Sequence, residues 1–161
     1  MKKFLEMKNL LLALVAVFAG CASYSGGGLV PGESSEAEVE AKMGPSIDRR
    51  EMVNGEIVRY YSRLPSGREM YAARFRRDGK LLAIEQRLTR EFVNTLAPGK
   101  STAHDVRDLL GPPYQVQHYS RTNVEVWLYP MRDFVTPLTL NVELSDGRVR
   151  EIAYYDTPAP D

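Results

Sequence analysis

Two stretches of this 161-residue chain are copies of each other. Leu29 to Ser46, LVPGESSEAEVEAKMGPS, aligns with Leu96 to Pro113, LAPGKSTAHDVRDLLGPP. Leu29/Leu96, Pro31-Gly32/Pro98-Gly99, Ser34/Ser101, Val39/Val106 and Gly44-Pro45/Gly111-Pro112 coincide at a spacing of 67. Tyr60 and Trp127 keep that spacing. Asp78-Gly79 and Ile84 find Asp146-Gly147 and Ile152 at 68, so one residue has been inserted. The same turn punctuation at one long period means two copies of a small unit.

Each unit reads alike. Pro-Gly makes a turn. Ser35 with Glu38, and Thr102 with Asp105, fit a helix-capping pattern. Val39 and Met43, or Val106, Leu109 and Leu110, supply the apolar stripe. Gly44 and Gly111 end the helix, and Pro45 and Pro112 stop it. A helix of about eight to ten residues is marginal alone and must be packed on something. Strand character follows. In the first copy it spans Arg49 to Val53, Glu56 to Leu64, Glu69 to Arg77 and Lys80 to Leu88, with Asn54-Gly55, Pro65-Ser66-Gly67 and Asp78-Gly79 as turns. In the second it spans Tyr114 to Ser120, Val124 to Tyr129, Phe134 to Leu144 and Arg148 to Tyr155. Leu138, Leu140, Val142 and Leu144 alternate with polar residues, as on a sheet with one buried and one wet face. The expected fold is α+β: two tandem modules, 29–88 and 89–156, each a helix over a four-stranded antiparallel meander, with a short tail at 157–161. Thr89 to Thr95 puts Leu88, Phe92 and Leu96 on one face and predicts an extra helix in the second module only.

Residues 1–20 stand apart. Lys2, Lys3 and Lys8 precede the apolar run Leu10 to Ala19, which suits a signal peptide and is too short to span a bilayer. The run ends in Phe18-Ala19-Gly20-Cys21, which resembles the bacterial lipobox, so Cys21 is the expected lipidation site. Ala22 follows it, where an Asp would imply inner-membrane retention. The resemblance therefore implies the periplasmic face of the outer membrane. Cys21 is the single cysteine, so no intrachain disulfide forms. Residues 21–28 are Ser/Gly-rich and read as a flexible tether. Of 21 basic and 21 acidic side chains, residues 1–20 hold three Lys and one Glu, which leaves the remainder with a net charge of −2. That balance offers nothing for nucleic acid.

The Pro-Gly turn, hydroxyl cap, central Val, Leu110-Gly111-Pro112-Pro113 stop and the following Trp127 and Tyr129 resemble the SmpA/OmlA (BamE-type) outer-membrane lipoproteins. The first copy is a degenerate version. The resemblance implies helices packed on an antiparallel sheet, and it implies envelope proteins as partners, among them the β-barrel assembly machinery. The tandem is also similar in arrangement to the beta-lactamase inhibitor protein, which binds an enzyme with the open face of its sheet. No partner-contacting residue of either can be carried over.

Gly99-Lys100-Ser101-Thr102 matches the tail of a nucleotide-binding loop. The first Gly of that motif would fall at Asn94, and the sister copy has Glu33 in place of Lys100. A turn and a helix cap explain the stretch better. His104 and His118 lack ligand-spaced partners, and Ser34 and Ser101 lack a nucleophile elbow. No catalytic residue, metal site, cofactor or nucleotide is expected. Arg59, Tyr61 and Arg63 alternate on one strand, as do Arg74 and Arg76 on the next. They share one wet face if the hairpin register allows it. Such a face suits anionic side chains, phospholipid headgroups or lipid A phosphates; alternatively it is a solvated face balanced by Glu51, Glu69 and Glu85. Tyr60, Tyr71, Trp127, Tyr129, Phe134, Tyr154 and Tyr155 are strand aromatics, mostly for the core. The expected function is non-enzymatic: an outer-membrane lipoprotein acting as a protein-binding accessory or scaffold in envelope assembly. An inhibitor-like module on a periplasmic or extracellular enzyme, or an anionic-lipid binder, is the alternative.

Overall fold

The computed structural model describes residues 25–157. The leader, Cys21 and residues 158–161 lie outside them. The elements are α1 (Glu36–Met43), β1 (Asp48–Glu51), β2 (Ile57–Ser62), β3 (Met70–Phe75), β4 (Leu81–Gln86), α2 (Arg90–Val93), α3 (Ala103–Leu110), β5 (Gln115–Tyr119), β6 (Val124–Asp133), β7 (Thr136–Ser145) and β8 (Arg148–Asp156). They build two four-stranded antiparallel meanders, β1-β2-β3-β4 and β5-β6-β7-β8. The chain is an α+β protein of two tandem modules.

The repeat is written in hydrogen bonds. Gly32 N donates to Leu81 O, Leu81 N to Ser34 O and Glu36 N to Gly79 O. In the second module Gly99 N donates to Val149 O, Val149 N to Ser101 O and Ala103 N to Gly147 O. Each Pro-Gly turn is thus sewn to its own Asp-Gly hairpin. Ser35 with Glu38 and Thr102 with Asp105 form complete capping boxes, so both eight-residue helices begin where expected. Gly44 and Gly111 end them at φ 85° and 79°, with ψ near −172°, a backbone region open in practice to glycine alone. Short α2 packs Val93 inward together with Leu88 and Leu96. Among the described residues no helix is long and apolar enough to cross a membrane.

The modules do not each keep a wet sheet face. On one face of the first sheet Tyr61, Ala73, Phe75 and Leu81 pack with Val39 and Met43 of α1. On the other face Val58, Tyr60, Met70 and Ala72 join a core with Val106 and Leu110 of α3 and with Tyr129, Leu140 and Val142 of the second sheet. The layers therefore run α1, first sheet, α3 with α2, second sheet. α3 is held between two sheets, and the expectation of a wet face on the first module is corrected. This is why β2 and β3 are buried on both faces while β7 alternates cleanly. The tether reading is corrected in part. Gly26 is buried with Ile84 beside it, and Leu29 packs on the first core, so the segment is docked from residue 26 onward.

The joint between modules is polar at its rim and close at its centre. Arg107 Nε meets Asp48 Oδ2 at 3.1 Å, and Arg50 Nη2 meets Asp108 Oδ1 at 2.7 Å. Tyr60 donates its hydroxyl to Asp108 O, and burial pushes that phenol up to about 12. A Cβ on Gly111 would come within 2.8 Å of Tyr60 Cδ1 and 3.2 Å of Met70 Sδ, whereas one on Gly44 would meet open space. Gly44→Ala should cost about 1–3 kcal/mol of backbone strain. Gly111→Ala should cost more, because Tyr60 must also move. Urea unfolding should rank them so and show one transition for both modules; equal losses, or two transitions, would deny the shared core.

Candidate binding face

The arginines proposed as a surface do not form one. Strand pairing sets Arg59 opposite Ala73 and Tyr61 opposite Tyr71, on the α1 side. Arg74 stands opposite Val58, on the side of the shared core. Arg59 Nη2 and Nη1 are drawn to Glu36 at 2.7 Å and Glu40 at 3.3 Å. Tyr61 is buried beneath α1. Arg74 bridges Glu56 at 2.9 Å and Glu85 at 3.2 Å, and Glu85 meets Arg87 at 2.7 Å. Arg87 is itself buried and lies over the Phe92 ring, 4.6 Å from its centre. Arg63 is exposed past the end of β2, and Arg76 is exposed beyond β3, 3.5 Å from Asp78. Glu85 serves as the centre of an ion network along the module joint.

The stretch Gly99 to Thr102 spends its backbone donors internally. Gly99 N donates to Val149 O, Lys100 N and Ser101 N to Ala97 O, and Thr102 N to Asp105 Oδ2. A phosphate would find no free N–H there. His104 binds Asp108 at 3.0 Å and the Arg50 guanidinium at 2.8 Å, as part of the module joint. His118 lies 3.3 Å from Glu125. Among the described residues no group of three or more His, Cys, Asp or Glu side chains is placed to hold a metal ion.

What remains uncovered is the outer face of the second sheet. Val124, Val126, Asn141 and Glu143 alternate with the core-facing residues of β6 and β7, so they point away from α3. Gln117 and Tyr119 of β5 join them opposite Val126 and Val124, and Tyr155 of β8 stands opposite Thr139. The register shifts after Glu143, and the extra residue in β8 is Arg150, which this bulge turns into the same face. Together these side chains line a shallow open recess of about 350 Å³. Its floor is Val124 and Val126. Its walls are Tyr119 and Tyr155, 51% and 54% exposed, so both rings offer large amphipathic surface to solvent. Asn141 Oδ1 is buried in the floor and has no hydrogen-bond partner among the described residues. Tyr119 donates to Gln117 Oε1 at 2.9 Å, which fixes its ring beside the recess.

The edge next to the recess is unusual as well. β1 reads Asp-Arg-Arg-Glu, β4 carries Glu85, and β8 carries Arg148, Arg150, Glu151 and Asp156. β5 reads Gln-Val-Gln-His-Tyr and has no Asp, Glu, Lys or Arg. Charge on an edge discourages another strand from pairing with it, so β5 is the edge left undefended. Sequence reasoning put Tyr155 among the strand aromatics and missed Tyr119, Gln117 and Asn141. The strict alternation of β7 was the available signal, because Asn141 lies on its wet side.

No protein-family model matches the chain, and no curated protein matches it. Among solved structures, a DUF4309 family protein (YjgB) from Bacillus subtilis is similar over 81% of this chain and 84% of that one, at 19% identity and a TM-score of 0.32. A likeness that faint carries no argument.

The ion network gives a pH test. Hydrogen bonding to Arg74 holds the Glu56 carboxyl below its ordinary range. A depressed carboxylate stabilises the fold above its unfolded pKa, and that contribution is lost as the pH falls through the folded value. Glu56→Gln should lower stability at neutral pH and flatten the loss that sets in as the pH falls below the ordinary glutamate pKa. Urea midpoints measured across that range decide it, and an unaltered acid limb would exclude the network from stability.

Proposed function

We propose that this chain is a non-enzymatic, lipid-anchored protein of the periplasmic face of the outer membrane, and that it captures a protein partner on the outer face of its second sheet. One observation carries the binding half. Among the described residues, packing of both sheets and both eight-residue helices leaves the outer face of the second sheet uncovered, and it holds two exposed tyrosines, an apolar floor and an unpaired amide oxygen. Interfaces favour such rings because they supply large contact area with few torsions to freeze. The uncharged β5 beside it offers backbone pairing to an extended segment of the partner. The leader and Cys21 support the address, and the resemblance of the repeat to the SmpA/OmlA lipoproteins supports envelope assembly as the setting. An open recess also suits an inhibitor that occludes an enzyme, and partner identity separates the two readings.

Crosslinking in intact envelopes tests the proposal. Barrel-assembly components in the crosslinked material would support the scaffold reading, and one hydrolase in fixed stoichiometry would support the inhibitor. Tyr119→Ala and Tyr155→Ala should each weaken capture by about 2 kcal/mol, roughly thirtyfold, if they are central to the contact. Gln117→Lys should weaken it through the edge. Capture unaffected by all three would move the partner elsewhere. For the anchor, Cys21→Ala should shift the chain from the membrane to the soluble fraction; continued fractionation with the outer membrane would refute lipidation as its cause.

A further inference from the structure

Two hairpin turns meet at one end of the molecule. Arg68, in the turn between β2 and β3, donates to Leu138 O at 3.2 Å, just beyond the turn between β6 and β7. Arg63, Glu69, Tyr71 and Arg132 line one recess across the same junction, two cations to one carboxylate. The β6–β7 turn is Phe134-Val135, 96% and 86% exposed. Among the described residues four non-glycine residues have positive φ: Arg68, Asn123, Phe134 and Asp146. Asn and Asp tolerate that region, but Arg and Phe do so poorly. Both ill-suited residues are at this end. The backbone is thus held in a costly conformation that presents a Phe and a Val to water, just past Arg132 and an Asp133 that is paired with Arg90. Arg68 spends its guanidinium on Leu138 O and Thr157 Oγ1, so its strain serves the fold, whereas Phe134 leaves its ring in solvent.

The upstream chain points the same way. Gly32 N is bonded to Leu81 O at the start of β4, while Gly26 lies against Ile84 farther along the strand. The segment therefore runs antiparallel to β4. Followed toward its N-terminus it heads for Gln86, which pairs with Tyr71 at the β2–β3 end. Four residues lie between Cys21 and Gly26, so five Cα steps span at most about 17 Å of extended chain.

From this juxtaposition we propose that the end bearing Phe134 and Val135 faces the bilayer. The two side chains enter the boundary between headgroups and acyl chains, and Arg63, Arg68 and Arg132 lie at headgroup level. The proposal rests on the anchor reading for how the chain reaches the membrane. A lipid on Cys21 would hold the chain at the membrane without orienting it, and an inserted apolar tip would set the orientation. The opposite end offers an internal comparison: the β1–β2 turn carries Val53, which is fully exposed, without a neighbouring aromatic.

The chain purified from membranes and reconstituted in phosphatidylcholine vesicles, with and without phosphatidylserine, provides the test. Trp127→Phe removes the native tryptophan, and Phe134→Trp or Val53→Trp supplies a reporter at one end or the other. With lipids brominated on their acyl chains, fluorescence at position 134 should be quenched several-fold more than at 53, and more so with phosphatidylserine. Equal quenching at both ends, stronger quenching at 53, or none at either would overturn the proposal. Flotation of Cys21→Ser reports on the anchor separately. If that variant floats as well as the parent, the anchor reading fails, while the quenching pattern still decides which end meets lipid.

Discussion

The burial of α3 between two sheets is the constraint on which the rest depends. An eight-residue helix has almost no stability of its own. α1 meets this need with one covered side, through Val39 and Met43. α3 is covered on both sides. Val106 and Leu110 reach the common core, while Arg107 and Asp108 hold Asp48 and Arg50 of β1 at its rim. Gly111 brings the helix end close enough for Tyr60 to pack against its backbone, and the Tyr60 hydroxyl finds Asp108 O. Each sheet of the tandem would leave an apolar face without α3. With it, the two units share one interior.

That arrangement decides where recognition can occur. The first sheet has no face to spare, since α1 covers one side and α3 the other. The charged residues that face α1 or the joint are consequently occupied within the fold. Arg59 ties α1 to β2, and Glu56, Arg74, Glu85 and Arg87 form a chain of alternating sign along the joint. Burial lowers the Arg87 pKa, and the neighbouring Glu85 opposes that shift. Such a cluster stays favourable only while every member keeps its partner. The second sheet is last in the stack, and nothing among the described residues covers its outer side.

Much of this was legible in the residues, and what was missed has a definite cause. The period, the Pro-Gly turns, the caps at Ser35 and Thr102 and the eight strands are local signals, and the structure reproduces them to within a few residues. The arginine face was a statement about register. In β2 and β3 residue 59 pairs with 73, so odd numbers face odd numbers. A loop one residue longer or shorter would have set Arg59 beside Arg74, and spacing within a strand cannot reveal that parity. Double burial of β2 and β3 was visible as weak alternation, yet which element supplied the second cover was a tertiary fact. Tyr119 lay in a short edge strand whose pattern is almost wholly exposed, so periodicity gave it no weight. The charge on the other three edges, set against its absence on β5, was the better signal.

The positions of the two surfaces also bear on how they could act together. β6 and β7 are ten residues each, about 33 Å of strand at ordinary rise. Their shared turn is the apolar tip, and their outer sides floor the recess. A bilayer met by the tip would leave those strands rising from the lipid, with the recess facing sideways and clear of it. Tyr119 and Val124 lie at the ends of β5 and β6 remote from that tip. A partner engaging them would stand beside the protein and away from the headgroups. The bent sheet would then act as a strut, rigid because its inner side is fused to α3 and the first module. A lipid chain on a slack tether would fix only distance; a docked segment from Gly26 onward and a seated hairpin would fix orientation as well, which is what a scaffold needs to present one face consistently.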